Sequence, residues 1–405
     1  MYLSLAWRNI WRNKKRSIIS ISSVSLAVLI ALVTRSMQLG FYAHSINNVV
    51  SFYTGYMQVH ADGYWEKQSL NNSFVDDGSV IKEVEQTRDV TFAAPRLESF
   101  ALVSAGNRTD GVMVVGIDPN LENRLAKLSG KVVEGSYLKP GDQGIMLGEG
   151  LASHLQLGLG DTAVVLGQGF HDVMAAGKYA ISGIVNFPVP DLNNSMAYLT
   201  MPVAQDLFAA PERITSLAVM IDDHKHLNAV DNRLSDELGK GYEIMTWKDM
   251  MPELVEGIET DNASGIIMLC IIYMVIGFGI MGTILMMTME RNREFGMLIA
   301  VGMKSYILRI IVAIESVILS LVGVIGGVIL GIPIMIYFHY NPIRLTGQLA
   351  EATLSYGFEP IFPFSLDPMI FFWQALAVLL IALVVSTYPI YRISKIEPVT
   401  ALRTG

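Results

Sequence analysis

Four long apolar runs dominate the hydrophobic pattern of this 405-residue chain. An α-helix needs about 20 such residues to cross a hydrocarbon core of roughly 30 Å. The runs predict membrane-spanning helices at residues 17–37, 263–289, 309–338 and 368–391. Residues 38–262 contain no comparable run. The pattern therefore predicts a membrane protein with one large domain outside the lipid.

Residues 38–262 alternate short β-type runs with turn residues. The predicted strands lie at 56–61, 100–104, 112–116, 162–166, 179–185, 197–199 and 216–221, and the predicted short helices at 120–128, 150–155 and 201–207. This mixture predicts an α+β domain. Next to the spans, the stretches 37–52 and 252–262 are compatible with helix and predict two stalk helices.

The first 16 residues have an amphipathic pattern. Leu3, Trp7, Ile10 and Trp11 recur at helical spacing, with basic side chains on the other face. Such a segment is typical of a helix lying in a membrane interface, and we expect an elbow helix at 1–16. No small-x-small cleavage site follows the first apolar run, so we expect that run to remain as a span.

A polar segment at 290–304 separates the second and third spans. Acidic and apolar side chains each recur there at helical spacing, which predicts one short amphipathic helix at a membrane face. A passive connector is the alternative interpretation. The candidate interface residues are Glu290, Arg291, Glu294, Phe295, Gly296, Leu298, Ile299 and Gly302.

Charge predicts the orientation of the chain. Bases without acids precede the first span, and the tail at 392–405 and the segment at 290–304 are richer in bases than the loop at 339–367. By the positive-inside rule, both termini and residues 290–304 face the cytoplasm. The domain at 38–262 then lies outside, and its 15 Lys and Arg against 30 Asp and Glu argue against nucleic acid as a partner.

Composition agrees with this assignment, because 52% of the residues are hydrophobic and only 16% are charged. Cys270 is the single cysteine, so no disulfide within the chain stabilises the outer domain. We interpret this cysteine as an inert core residue of the second span.

Small residues and one acid mark the third span. Gly323, Gly327 and Gly331 recur every four residues and form a smooth face that another helix can approach closely. Packing within one subunit and a seam between two subunits are both compatible with this face. Glu315 is a candidate for a transport role, although snorkelling or pairing with a basic neighbour is the commoner explanation for such a residue.

Catalytic motifs are absent from the sequence. The Gly-Lys pairs at 130, 177 and 239 are not followed by the Ser or Thr of a phosphate loop, so we expect no ATPase in this chain. We expect no catalytic residue, no metal and no cofactor. The charged run from Asp222 to His226 is interpreted as a solvated loop, because no second cluster of metal ligands accompanies it.

The order of these elements resembles the MacB/FtsX-like ABC-transporter permeases. RNIWRNKKR opens the chain, and ERNREFGMLIAVGM at 290–303 is similar to the coupling helix of the family. GIMLGEGLASHLQLGLGDTAVV at 144–165 is similar to the MacB-like periplasmic core domain, and IEPVTALR at 396–403 to the terminal Pro-x-x-Ala-Leu-Arg. Four spans without a fused ATPase look most like the lipoprotein-releasing LolC/LolE type.

The resemblance implies a permease subunit of a type VII, mechanotransmission ABC transporter in a bacterial inner membrane. A separate ATPase dimer would bind ATP and Mg and dock at 290–304, beside a second permease subunit that is identical or homologous. The substrate would be a lipoprotein or another amphipathic molecule, passed to a periplasmic chaperone or adaptor. By position, a chaperone-docking hook corresponds to residues 167–177, with candidates Gln168, Phe170, His171 and Met174.

Several functions remain open on the sequence alone. Lipoprotein extraction, export of a drug or peptide with an adaptor, and activation of an envelope hydrolase all use the same mechanical parts. A membrane sensor is an alternative of another class, but it leaves the segments at 290–303 and 396–403 unexplained.

Overall fold

The computed structural model describes residues 2–12, 14–187, 189–355 and 359–394, so the segment at 396–403 lies outside the described residues. The α-helices are α1 (Tyr2–Arg12), α2 (Lys14–Val49), α3 (Tyr64–Lys67), α4 (Ser79–Gln86), α5 (Pro119–Ala126), α6 (Glu149–Leu155), α7 (Pro190–Ser195), α8 (Met201–Leu207), α9 (Leu227–Leu238), α10 (Trp247–Met250), α11 (Pro252–Glu290), α12 (Asn292–Ala300), α13 (Ser305–Tyr340), α14 (Gln348–Ser355) and α15 (Pro368–Ser394).

The strands are β1 (Met57–Ala61), β2 (Phe74–Val75), β3 (Val90–Ala105), β4 (Arg108–Ile117), β5 (Val132–Gly135), β6 (Ile145–Gly148), β7 (Thr162–Gln168), β8 (Met174–Val185), β9 (Met196–Thr200), β10 (Arg213–Ile214), β11 (Ser216–Ile221), β12 (Tyr242–Thr246), β13 (Ile343–Arg344) and β14 (Ile361–Phe362). The chain forms two compact units. The membrane unit comprises Met1–His44, Gly257–Arg344 and Ile361–Gly405, and the outer unit comprises Ser45–Glu256 and Leu345–Pro360.

Long apolar helices build the membrane unit. Within the described residues, four stretches have the length and composition of membrane spans: Ser17–Thr54, Pro252–Glu290, Ser305–Tyr340 and Pro368–Val385. Their shared core includes Val28 and Leu32 of α2, Ile280 of α11 and Val378 of α15. The four-span prediction is confirmed.

The glycine face of α13 packs against α2 of the same chain. A Cβ added at Gly323 would lie 2.6 Å from the Cβ of Val24, and one added at Gly327 would lie 2.7 Å from the Cβ of Val28. Gly331 continues the face, with side chains of α2 3.4 Å from an added Cβ. The seam between subunits that the sequence allowed for these glycines is therefore wrong, because α2 already occupies the face.

Ten strands form the sheet of the outer unit, in the order β12-β1-β11-β3-β4-β9-β6-β8-β5, with β7 between β3 and β8. The pairings of β3, β4, β9, β6, β8 and β7 close into a ring of six strands. Ala101 and Val103 of β3 belong to the buried core of this unit. Phe100 and Leu102 alternate with them and are exposed, because successive side chains of a strand point to opposite faces.

The short helices pack beside this sheet. Val203, Ala204 and Leu207 of α8 join the same core as β3 and β4, while Leu125 and Ala126 of α5 belong to a second core. Asp118 caps α5 by accepting hydrogen bonds from two backbone N–H groups, and Pro119 occupies its first position. The predicted α+β class of the outer domain is confirmed.

Candidate functional site

The segment between α11 and α13 is a helix that starts after a break. Arg291 leaves helical geometry, with φ −92° and ψ 5°, and α12 begins at the next residue. The helix ends at Ala300, and Gly302, two residues further, has a φ of +102° that favours glycine. The N–H groups of Gly302 and Met303 donate to the carbonyls of Ile299 and Leu298, as in a Schellman motif. A single helix through 290–303 is wrong, since Glu290 belongs to α11.

The burial of side chains on α12 differs from the prediction of one free apolar edge. Phe295 is buried against Leu308 and Val312 of α13, and Gly296 is buried as well. The prediction that Phe295 lies on a free apolar edge is wrong, because the start of α13 packs over this side chain. Leu298 remains exposed, and Val301 just beyond the helix is 84% exposed. The accessible apolar side chains therefore lie towards the C-terminal end of α12.

Arg291 is buried and does not lie on an accessible edge. Its Nη1 donates to both carboxylate oxygens of Glu315 on α13, at 2.8 and 3.0 Å. Asn9 of α1 donates to the same carboxylate at 2.7 Å. Glu315 thus pairs with a basic neighbour, which the sequence analysis named as the commoner explanation. Glu294, by contrast, is about half exposed and accepts from Arg12 at 2.5 Å.

The predicted hook is a β-hairpin of β7 and β8. Its tip turns through His171 and Asp172, with φ of 56° and 61°. Gln168 donates to Asp172 at 2.8 Å and is exposed together with His171. Phe170 is half-buried under the guanidinium of Arg213, 4.1 Å from its ring centre, so it does not extend from the tip.

An outer apolar patch adjoins this hairpin. It consists of outward-facing side chains of β3, β7 and β8: Phe100, Leu102, Leu166 and Met174. Met174 is 82% exposed, and the patch borders an open groove of about 500 Å³. Contiguous exposed apolar surface marks interaction sites. Of these four residues only Met174 was predicted from the sequence. Phe100, Leu102 and Leu166 were missed, although apolar residues on both faces of β3 indicated an exposed apolar surface.

A groove opens between α2, α11 and α13 in the membrane unit. Its volume is about 340 Å³. The lining is mostly apolar with a few hydroxyl groups: Ser20, Ser23, Val24, Leu26, Ala27, Ile30, Val275, Ile276, Gly279, Ile280, Thr283, Ile284, Ser316, Leu319 and Ser320. Such a lining accepts hydrocarbon and a small number of hydrogen bonds.

Buried charges lie beneath the last turn before β1. Arg96 donates to both carboxylate oxygens of Glu122, at 2.7 and 2.9 Å, and to the backbone carbonyl of Tyr53. Glu98 lies 3.8 Å from the same guanidinium. Burial raises the pKa of Glu98, although Arg96 acts in the opposite direction. The cluster ties the turn at Val50–Thr54 to the sheet.

One group of potential metal ligands occurs in the part of the chain that the structure describes. Oxygen and nitrogen atoms of Asp89, Asp222 and His226 lie within 4.8 Å of one another. Arg233 binds Asp89 at 2.9 Å, and His226 binds Asp222 at 3.0 Å. Each of these three side chains therefore has a partner within the chain.

The chain matches the models of two known protein families. It matches the model of the MacB-like periplasmic core domain over residues 17–237 and that of the FtsX-like permease C-terminal domain over residues 266–398. The first match alone spans more than half of the chain. The chain therefore belongs to the family of MacB/FtsX-like permeases, multi-pass membrane proteins with a periplasmic core domain.

Individual relatives are similar over most of their length. The chain is 24% identical to the lipoprotein-releasing system transmembrane protein LolC of Neisseria meningitidis serogroup B, over 72% of each chain. It is 24% identical to the LolC of Xylella fastidiosa, over 96% of this chain and 93% of the relative. The periplasmic region of MacB from Actinobacillus actinomycetemcomitans aligns with a TM-score of 0.36 and 16% identity, over 52% of this chain and 96% of that one.

Proposed function

We propose that this chain is the permease subunit of an ABC transporter that extracts lipoproteins from the outer leaflet of the inner membrane and passes them to a periplasmic chaperone. A separate ATPase dimer, which binds ATP and Mg, supplies the energy, and a second permease subunit completes the membrane part. The observation that carries the proposal is similarity to lipoprotein-releasing permeases over 96% of the chain, together with the short helix α12 inside the region that matches the FtsX-like permease C-terminal domain.

The ATPase docks on the exposed end of α12. Leu298 and Val301 present apolar surface beside the exposed Glu294, whereas Arg291 and Phe295 face the interior of the subunit. Apolar side chains that are exposed in the free subunit and buried in the complex provide the main favourable term in association. Both termini and α12 face the cytoplasm in this proposal, since the neighbouring loops carry the excess of bases.

The substrate presents acyl chains to the membrane unit. The groove between α2, α11 and α13 is lined by hydrocarbon and open at its side, so an acyl chain enters it without exchanging lipid for water. The described residues that line it carry no charge, which suits an uncharged chain. Drugs with long apolar parts fit the same groove, but the relatives named for lipoprotein release favour the lipoprotein.

The outer apolar patch receives the chaperone. A lipoprotein that leaves the bilayer exposes acyl chains that water does not dissolve, so its carrier must itself be apolar where it takes the cargo. Met174 beside the hairpin tip and Phe100 on β3 are exposed apolar side chains that would contact the apolar surface of the carrier. Gln168 and His171 at the tip add polar groups at its rim.

Reconstituted vesicles test both surfaces in one experiment. Vesicles that contain the permease with its co-purifying ATPase and a labelled triacylated lipoprotein should release the lipoprotein on addition of ATP and a chaperone. Val301→Asp should reduce ATPase co-purification about tenfold and abolish release, because a buried carboxylate lacks a partner. Met174→Asp should leave ATP hydrolysis intact and reduce transfer to the chaperone.

Val133→Asp is the matched control, because Val133 is an exposed valine of β5 that belongs to neither surface. It should behave as wild type. Wild-type chain that binds no ATPase, or ATP-dependent release that persists in Val301→Asp, would contradict the assignment of α12. Release of a labelled drug but no lipoprotein would contradict the substrate.

A further inference from the structure

We propose that Arg291, Glu315 and Asn9 form a joint that transmits displacement of α12 to α13 and α1. The proposal rests on the proposed docking of an ATPase at α12 and assigns to these residues a positioning role in coupling. Arg291 and Glu315 do not touch the partner, since both are buried inside the subunit.

Arg291 is attached to α12 through its backbone. It is the residue at the break between α11 and α12, and its carbonyl accepts from the N–H of Phe295 at 2.8 Å. A push on α12 therefore moves Arg291 with it. The break also allows α12 to tilt without bending a continuous helix, because the residue there has left helical geometry.

The side chain of Arg291 is attached directly to α13, and it reaches α1 through the carboxylate of Glu315. Both oxygens of Glu315 accept from Arg291, and one of them also accepts from Asn9, at 2.7 Å. Glu315 lies two to three turns inside α13, and Asn9 lies on α1. Arg291 thus connects the segment that would receive the push to the third span, and the carboxylate of Glu315 extends this connection to the elbow helix.

Burial makes this connection stiff. The side chains of Arg291 and Glu315 are only 10% and 5% exposed. Apolar residues such as Phe295, Val312 and Leu319 line the space around the pair, where a cavity of about 10 Å³ holds at most one water. The two charges cannot separate and be solvated there, so moving one moves the other.

The neighbouring pair of Arg12 and Glu294 cannot do the same. Both side chains are about half exposed, at 53% and 49%. Water screens such a pair and replaces its partner at little cost. The buried pair is therefore the contact through which force passes, and the exposed pair is an accessory to it.

Neutralisation of Glu315 tests the joint. In the complex with the co-purifying ATPase, Glu315→Gln and Arg291→Gln should bind the ATPase as wild type does. Lipoprotein release per ATP hydrolysed should fall by about tenfold. The exchange variant R291E/E315R, which restores opposite charges at the same place, should recover most of this coupling ratio, which a loss of general stability would not explain. Arg8→Gln, an exposed base on α1, is the matched control and should keep the wild-type ratio.

The outcomes separate this proposal from the preceding one. If wild-type chain binds no ATPase, the proposed function fails. If it binds the ATPase and Glu315→Gln keeps the full coupling ratio, the joint is refuted while the proposed function stands. Where Glu315→Gln does not enter the membrane, Arg291→Lys keeps the charge but loses the two-pronged geometry, and full coupling in that variant refutes the joint as well.

Discussion

His60 lies on β1 inside the outer unit with none of its surface exposed. Its Nδ1 lies 2.9 Å from the carbonyl oxygen of Thr215, and its ring stacks on Tyr64 with 4.9 Å between centres. Burial lowers the pKa of His60 to about 4, because a charged imidazolium would lose its water. The folded state therefore holds this side chain neutral, with Nδ1–H donating to the carbonyl.

The outer unit should lose stability as pH falls from about 6.5 to about 4. The unfolded chain takes up a proton on His60 near its ordinary pKa of about 6.5, whereas the folded chain resists it until about 4. The contribution of neutral His60 to the free energy of unfolding is fully present above the unfolded-state pKa. It is lost as the pH falls to the folded-state pKa, by up to about 3 kcal/mol. Denaturant unfolding of the detergent-solubilised chain between pH 7.5 and pH 4, followed by hydrogen exchange in β1, measures the loss.

His60→Gln removes the titrating group, so its unfolding free energy should depend less on pH over this range even if it is lower at pH 7. His154→Gln is the control, because that side chain is exposed. An equal pH dependence in wild type and His60→Gln would show that another group is responsible.

Two ion pairs in the membrane unit differ in energetic weight. Breaking a buried pair by removing one partner costs roughly 3–5 kcal/mol, whereas an exposed pair contributes about 0–1 kcal/mol. Arg291 and Glu315 belong to the first class and Arg12 and Glu294 to the second, by their exposure. The sequence does not distinguish Arg291 from Glu294, because both lie on the same short segment.

At the scale of elements, the packing of α13 on α2 depends on glycines, which have no side chain to separate the two helices. An added Cβ at Gly327 would lie 2.7 Å from the carbonyl oxygen of Ser25 and from Val28, so the helices must separate to admit any side chain. Gly326 shows the same crowding, with the Oγ of Ser25 2.6 Å away. Backbone proximity, rather than hydrophobic burial, holds such an interface in lipid.

Gly327→Leu should destabilise the membrane unit by about 1–3 kcal/mol, the usual cost of overpacking. Thermal unfolding of the purified chain in detergent measures this. Gly282→Leu on α11 makes the same chemical change where nothing lies within 4 Å of an added Cβ, and it should melt as wild type does. Normal melting of Gly327→Leu together with loss of subunit pairing would return the face to the interface between subunits.

Element prediction succeeded where local periodicity is strong. The predicted helix at 201–207 and strand at 216–221 coincide with α8 and β11. The prediction missed β6, a strand of four buried residues whose pattern is too short to distinguish from a helix. It also missed α9, where Leu227, Val230 and Leu234 are buried at helical spacing. That spacing was visible in the sequence.

At the scale of the whole molecule, orientation follows from charge and is open to direct measurement. With Cys270 replaced by Ala, a single cysteine at Lys240 should react with an impermeant maleimide in spheroplasts, and one at Met297 should react only after permeabilisation. Both positions are exposed within their own units, so access depends on the side of the membrane. The reverse pattern would place α12 outside and rule out a cytoplasmic ATPase partner.

The sequence by itself determined the four spans and the α+β class of the outer domain. These features depend on residues close together in the chain: runs long enough for the bilayer and alternation of apolar positions. Each can be recognised from a single stretch of sequence.

Only the tertiary structure decided which surfaces meet. Gly327 packs on α2 and Glu315 binds Asn9, across about 300 positions of sequence in each case. The closure of β3, β7 and β8 into a ring, with Phe100 facing outward, is another such result. A smooth helix face or a buried carboxylate accepts any complementary partner. The local sequence therefore indicates that a contact is needed, and the packing of the whole chain selects the partner.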